Sequence, residues 1–207
     1  YMALVPIIQP PVMRLMTTDK ERQVRMPYTR RKVSRTARIL FPIIVTLVIS
    51  LISPQASPLI ATLMLGNLLR ESMVVDRLSS AAQNEIANVT TLFLGLAIGG
   101  TMNGNAFLRV ETLYILAIGL FAFVMDTFGG LAFGKLMYVF SGKRFNPLIG
   151  AAGISAFPMS ARTVQRVGQE YDKQNFLLMH ATGANTAGQL GSVIAGGILL
   201  ALVARVL

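Results

Sequence analysis

Long apolar runs alternate with short polar segments along this chain. The clearest runs cover residues 39–53, 89–102 and 113–138. They are apolar on all sides rather than along one stripe, and the longest exceeds the roughly 20 residues that a helix needs to cross a bilayer. The pattern predicts an all-α, polytopic membrane protein.

The first apolar run, residues 1–13, is interpreted as the end of a preceding membrane helix. It contains Pro10 and Pro11, where we expect the helix to break because proline cannot donate the backbone hydrogen bond. Since the chain opens with Tyr1 inside an apolar run and has no signal-peptide layout, we expect it to be the C-terminal part of a longer protein.

Residues 14–38 form a strongly basic segment, with nine Arg and Lys residues against Asp19 and Glu21. Cytoplasmic loops of membrane proteins carry such an excess of cations, so we place this loop in the cytoplasm. A nucleic-acid-binding arm is the alternative, but only Tyr28 interleaves the cations and apolar runs flank them on both sides. We therefore expect no nucleic-acid partner.

Residues 39–140 are interpreted as membrane helices of unequal length. The segment 59–69 is too short to cross alone, so it is either a half-span or a buried core helix. The mixed segment 74–88 suits a position along the membrane interface. Asp126 lies inside the longest run and is a functional hypothesis by default, because intramembrane carboxylates are costly.

The last third of the chain mixes apolar residues with small and polar ones, beginning with the run Asn146-Pro-Leu-Ile-Gly-Ala-Ala-Gly-Ile-Ser-Ala-Phe-Pro-Met-Ser-Ala-Arg162. Irregular backbone is tolerated in a membrane only inside protein or beside a wet cavity, and transporters build midplane sites from interrupted helices. We predict an interrupted hairpin with a binding site over 145–173, followed by a C-terminal membrane helix over 174–207.

Composition agrees with a lipid environment: 53% of the residues are hydrophobic and 14% are charged. The net charge of +10 is concentrated next to apolar segments, which favours the positive-inside interpretation over nucleic-acid binding. The chain has no cysteine and one histidine, so thiolate and multi-histidine metal sites are excluded within it.

Oxygen-bearing residues of the interrupted run suit a hard cation such as sodium; they are Asn146, Ser155 and Ser160. Arg162 presents a planar fork that matches a carboxylate, and a snorkelling anchor at the membrane edge is the alternative. Further along, Asn185, Gln189 and Ser192 follow helical spacing and either face the same cavity or join helices, while His180 is either a proton shuttle or structural.

Several motifs together resemble the β subunits of sodium-pumping biotin-dependent decarboxylases. They are the run from Asn146 to Arg162, Asn175-Phe-Leu-Leu-Met-His180, Tyr1-Met-Ala-Leu-Val-Pro and Leu65-Gly-Asn-Leu-Leu-Arg-Glu-Ser72, and the resemblance covers essentially all 207 residues. It implies the C-terminal half of an inverted-repeat, transporter-like fold. It also implies a subunit that decarboxylates carboxybiotin and exports sodium ions.

The resemblance implies roles for five positions of this chain. Arg162 would bind the carboxybiotin carboxylate, Asn146 and Ser155 would coordinate sodium, and Gly150 would leave a carbonyl or space at the break. Tyr1 would act as a ligand or proton donor. The family's intramembrane aspartate, in an Asp-Gly-Pro-Thr stretch, lies upstream of these residues, so the site is incomplete here.

The resemblance further implies partners: a biotin carrier, a carboxyltransferase subunit, a small membrane subunit of the γ or δ type, and other copies of the β subunit in the cytoplasmic membrane. Residues 183–189 favour the acyl-CoA members slightly over the oxaloacetate members.

Two other functions stay open: a sodium-coupled secondary transporter of a small carboxylate, and a purely structural membrane anchor for a soluble enzyme.

Overall fold

A computed structural model describes residues 2–27, 33–102, 104 and 108–206. Every regular element in these ranges is helical, so the all-α prediction is confirmed. The α-helices are α1 (Val5–Met16), α2 (Asp19–Arg22), α3 (Arg35–Ile52), α4 (Ser57–Ser72), α5 (Asp76–Ala81), α6 (Ala87–Thr101), α7 (Val110–Phe140), α8 (Met159–Tyr171) and α9 (Leu178–Val206).

Three of these helices are long and apolar enough to cross a membrane: α3, α7 and the part of α9 from Leu178 to Val203. Most of their large apolar side chains are exposed, which is the expected surface for helices that contact lipid or further protein. The predicted run 113–138 lies within α7, and α3 covers the predicted run 39–53 except for its last residue, Ser53.

The chain forms two compact units. One comprises Tyr1–Arg30 with Ile115–Ser192, and the other comprises Arg31–Tyr114 with Val193–Leu207. In the second unit α3 and α4 form a hairpin whose open end is closed by an ion pair of 3.1 Å between Arg38 and Glu71. The predicted short segment 59–69 is therefore the centre of a helix that packs against a span.

In the same unit, α5 continues through one π-helical turn (Ala82–Ile86) into α6. The mixed segment 74–88 thus leads into the apolar run 89–102 without a break in helical structure. All of α6 is exposed among the described residues, and its 15 residues are fewer than a full span requires.

In the first unit, α1 does not break at its prolines. It runs through Pro10 and Pro11 to Met16, so the expectation of a break there is wrong. The two missing N–H groups cost hydrogen bonds, but Gln9 and Met13 are fully buried on either side of the prolines and hold the helix against its neighbours. Met13 belongs to an apolar core with residues of α7, α8 and α9, including Leu131, Val164 and Ala181.

Candidate functional site

In the first unit, residues 141–158 form a broken segment, an irregular stretch that joins α7 to α8. Asn146 caps a short 3₁₀ helix, Pro147–Ala152, and residues 153–158 are not helical before α8 begins at Met159. Its residues from Pro147 to Ala152 are almost all buried. This first part of the segment is therefore enclosed by protein, which is the condition under which a membrane protein tolerates irregular backbone, whereas Gly153, Ser155 and Phe157 are exposed.

Glycines allow the helices to approach this segment closely. A methyl group built at Gly150 would lie 2.8 Å from the carbonyl carbon of Gly130 and 3.1 Å from the Cα of Gly134, both on α7. On the other side, a methyl group at Gly188 of α9 would lie 2.7 Å from the backbone nitrogen of Ile154. The broken segment is thus in direct backbone contact with two membrane helices.

Amide side chains from distant helices satisfy the carbonyl groups that the break frees. Gln9 of α1 donates through Nε2 to the Ala151 oxygen at 2.8 Å, and the Ser160 hydroxyl lies 2.9 Å from both that oxygen and Gln9 Oε1. Asn185 of α9 donates through Nδ2 to the Ile154 oxygen at 2.7 Å. These contacts replace hydrogen bonds that a continuous helix would have made.

Asn146 joins the site to the basic segment. Its Nδ2 donates to the carbonyl oxygens of Arg22 and Val24 at 2.9 and 2.8 Å, while its Oδ1 accepts from the Leu148 N–H at 3.0 Å. The Nδ2 of Asn175 donates to the same two carbonyls, at 3.1 Å each. Two buried asparagines therefore clamp one stretch of main chain.

The basic segment is not wholly a solvated loop. Arg22 is 6% exposed; its Nε donates to the Thr17 hydroxyl at 2.8 Å and its guanidinium lies 4.6 Å from the centre of the Tyr171 ring. Arg25 forms a bidentate contact with Asp172, at 2.5 and 3.0 Å. This arginine holds the pKa of the Asp172 carboxyl below its usual range, with help from the Gln174 N–H.

Arg162 lies near the start of α8 with an exposed side chain. It lines a cavity of about 410 Å³ together with residues of α8 and the start of α9, which are Gln165, Arg166, Gln169, Glu170 and Leu178. Its guanidinium makes no hydrogen bond or ion pair that involves another described residue. It is therefore open to an external anion.

The other predicted site residues are spread along the segment. Ser155 is exposed, and its carbonyl accepts from the Phe157 N–H at 2.9 Å. Gly150 is half-buried at the α7 contact. Asn146 is fully buried. Tyr1 lies outside the described residues. Among the residues that the structure describes, no direct hydrogen bond links Arg162, Ser155 and Asn146.

Sequence reasoning missed Gln9, Arg22, Asn175 and Gln165 as parts of this site. Each is polar and has at least two side-chain hydrogen bonds to other segments or turns. For Gln9 a signal was available, since an amide within the apolar run 1–13 requires a partner in a membrane. For Arg22 no such signal was available, because it is one of nine Arg and Lys residues in the basic segment and nothing in the sequence distinguishes it from the exposed ones.

Comparison with known proteins places the chain in a family. Residues 1–203 match the family model described as the Na⁺-transporting oxaloacetate decarboxylase beta subunit. The chain belongs to this family. The resemblance seen in the sequence is thereby confirmed, and the membrane location suggested by the three apolar helices agrees with a family of sodium transporters.

Curated relatives act on different substrates, by name. The chain is 52% identical over 200 residues to the oxaloacetate decarboxylase beta chain of Klebsiella pneumoniae, covering 97% of this chain and 46% of that protein. It is 52% identical over 205 residues to the methylmalonyl-CoA decarboxylase subunit beta of Veillonella parvula, covering 99% and 55%. It is 50% identical over 203 residues to the glutaconyl-CoA decarboxylase subunit beta of Acidaminococcus fermentans, covering 98% and 54%.

The chain thus spans about half the length of the curated relatives it matches. The near-equal identities do not separate the oxaloacetate type from the acyl-CoA type, so overall similarity gives no support to the slight preference for acyl-CoA.

Proposed function

We propose that this subunit decarboxylates carboxybiotin, delivered by a biotin carrier partner, and couples the reaction to sodium export across the cytoplasmic membrane. The observation that carries the proposal is the open guanidinium of Arg162 beside a broken, partly enclosed segment in a chain of the sodium-transporting family. The basic segment 14–38 faces the cytoplasm, where the carrier would approach.

Arg162 is the proposed carboxylate ligand. A guanidinium has five N–H donors in a planar fork, and two of them can bind both oxygens of one carboxylate. Because other described residues do not engage this side chain, no existing ion pair has to break when the anion binds. The cavity beside it supplies space for a small ring system.

Sodium is the proposed cargo and takes oxygen ligands. The Ser155 hydroxyl is exposed at the break, and Asn146 Oδ1 keeps one lone pair beyond the one used by the Leu148 N–H. Gly150 provides backbone at the α7 contact, and Tyr1 a hydroxyl. An aspartate from the preceding part of the full-length subunit would supply the negative charge.

The coupling follows from charge. Loss of CO₂ from carboxybiotin cleaves the N–CO₂ bond, and the ring nitrogen takes up one proton, so an anion is replaced by neutral products. A bound sodium ion then loses a nearby negative partner. A difference in sodium affinity between the two states is sufficient to bias an equilibrium between inward-open and outward-open forms.

The wider assembly is part of the same proposal. It comprises the biotin carrier, a carboxyltransferase subunit, a small membrane subunit of the γ or δ type and further β subunits, with this chain as the second half of an inverted repeat. Residues 183–189 favour an acyl-CoA carboxyl donor.

The test uses the intact enzyme complex in liposomes and N-carboxybiotin as substrate, with and without sodium. Arg162→Ala should raise the carboxybiotin KM at least about tenfold, since a charge-assisted pair is lost. Ser155→Ala should raise the sodium concentration needed for half-maximal turnover. Arg144→Ala, which removes an exposed arginine that does not line the cavity, is the matched control.

Turnover that is indifferent to sodium and to both substitutions contradicts the proposal. Sodium-driven uptake of a small carboxylate without carboxybiotin turnover would instead identify a secondary transporter.

A further inference from the structure

Gln165 makes three hydrogen bonds with one side chain. Its Oε1 accepts from the N–H groups of Leu177 and Leu178, at 2.7 Å each, and its Nε2 donates to the Asn175 carbonyl at 3.0 Å. Both ends of the amide are therefore occupied; the partners are Asn175 and Leu177 in the turn before α9 and Leu178, the first residue of that helix.

The start of α9 has no cap of its own. The first N–H groups of any helix lack intrahelical partners, and a polar side chain just before the helix usually accepts from them. Here that position is Leu177, whose side chain is apolar and buried. Gln165 supplies the missing acceptor from α8, so the cap is also a link between the two helices.

The link lies beside Arg162. Residues three apart on a helix are neighbours on its surface, and Arg162 and Gln165 line the same cavity with Leu178. We propose that Gln165 is a positioning residue, which fixes the α8 surface that carries Arg162 against the amino end of α9 and so places the guanidinium for its anion. This inference rests on the proposed function of Arg162.

The chain offers a matched control and a conservative variant. Gln169 lies one turn further along α8 and lines the same cavity, but its side chain makes no hydrogen bond with another described residue. Gln165→Met removes all three hydrogen bonds at similar size. Gln165→Glu keeps an oxygen acceptor for the two N–H groups, and its negative charge suits a helix amino terminus.

The experiment measures two quantities on the intact complex carrying the full-length subunit. The first is the KM and kcat for N-carboxybiotin at saturating sodium. The second is hydrogen exchange at the Leu178 amide. Gln165→Met should raise KM about tenfold with kcat within about twofold, and speed the exchange at least about tenfold. Gln165→Glu keeps the acceptor and should restore the exchange to within about threefold of the wild type. Its carboxylate, three residues from Arg162, should leave the KM raised, and Gln169→Met should change neither value.

The results distinguish a positioning role of Gln165 from a purely structural one. Faster exchange with an unchanged KM in Gln165→Met would mean that the cap is purely structural and would overturn the inference. Unchanged exchange would overturn it as well. If Arg162→Met raises KM while Gln165→Met does not, only the positioning role fails. If neither variant changes KM, the proposed function of Arg162 fails with it.

Discussion

Two adjacent glycines of α7 allow a direct test of the close helix contact at the broken segment. A methyl group on Gly130 would lie 3.1 Å from the carbonyl carbon of Gly150 and closer still to its oxygen. A methyl group on Gly129 would meet nothing within 4 Å. Replacing each by alanine therefore adds the same atoms to the same helix, but only one addition strikes another backbone.

The expected difference is set by overpacking. Both variants gain the same helix propensity, up to about 1 kcal/mol, which cancels in the comparison. Forcing an extra methyl group into a filled site costs about 1 to 3 kcal/mol, and the upper end applies here because backbone atoms cannot rotate away. In a full-length subunit about twice as long as this chain, as in the relatives, that difference lowers the melting temperature by roughly 3 to 6 °C.

Thermal unfolding of the detergent-solubilised full-length subunit, followed by circular dichroism, measures this difference. Gly150→Ala should resemble Gly130→Ala. The double variant should lose less than the sum of the two, because one separation of the backbones relieves both clashes. If Gly129→Ala and Gly130→Ala melt within about 1 °C of each other, the proposed close contact does not exist.

Two further predictions concern the residues that hold the site to the basic segment. Asn146→Leu should lower the free energy of unfolding by about 2 to 4 kcal/mol, because it removes a donor from the Arg22 and Val24 carbonyls and leaves the buried Leu148 N–H without an acceptor. Chemical denaturation measures this free energy, and a loss below about 1 kcal/mol would contradict the prediction. The pKa of Asp172 is lowered in the folded state by Arg25, so its charge stabilises the fold above the ordinary carboxyl pKa of about 4. Asp172→Asn should therefore be less stable than the wild type at pH 7, and the difference should shrink as the pH falls below about 4, which melting curves at several pH values would show.

Apolar run length was enough to predict the helices at 39–53 and 113–138, because burial in lipid depends only on composition and length. The continuity of α1 through Pro10 and Pro11 could not be predicted from composition and length, because it depends on tertiary contacts. Proline weakens a helix locally, but the fully buried Gln9 and Met13 supply tertiary contacts that a local rule does not include.

The broken segment itself was visible in the sequence, but its partners were not. Its high content of Gly, Pro and small residues marks the interruption. The amides that complete it come from far away in the chain: Gln9 is separated from Ala151 by 142 residues and Asn185 from Ile154 by 31. Which distant amide bonds to which carbonyl depends on how the helices pack, and the pattern of residues along the chain does not determine that packing.

The distribution of these partners bears on where the site can accept an ion. In the broken segment, Ala151 and Ile154 already give their carbonyl oxygens to side-chain amides, and Ser155 gives its own to the Phe157 N–H. A ligand that needed these oxygens would have to compete with bonds already made. The exposed Ser155 hydroxyl and Arg162 guanidinium carry no such bond to any described residue, and Asn146 Oδ1 accepts only from the Leu148 N–H. These side-chain groups, rather than the carbonyl oxygens of Ala151, Ile154 and Ser155, are therefore expected to hold the ion and the anion.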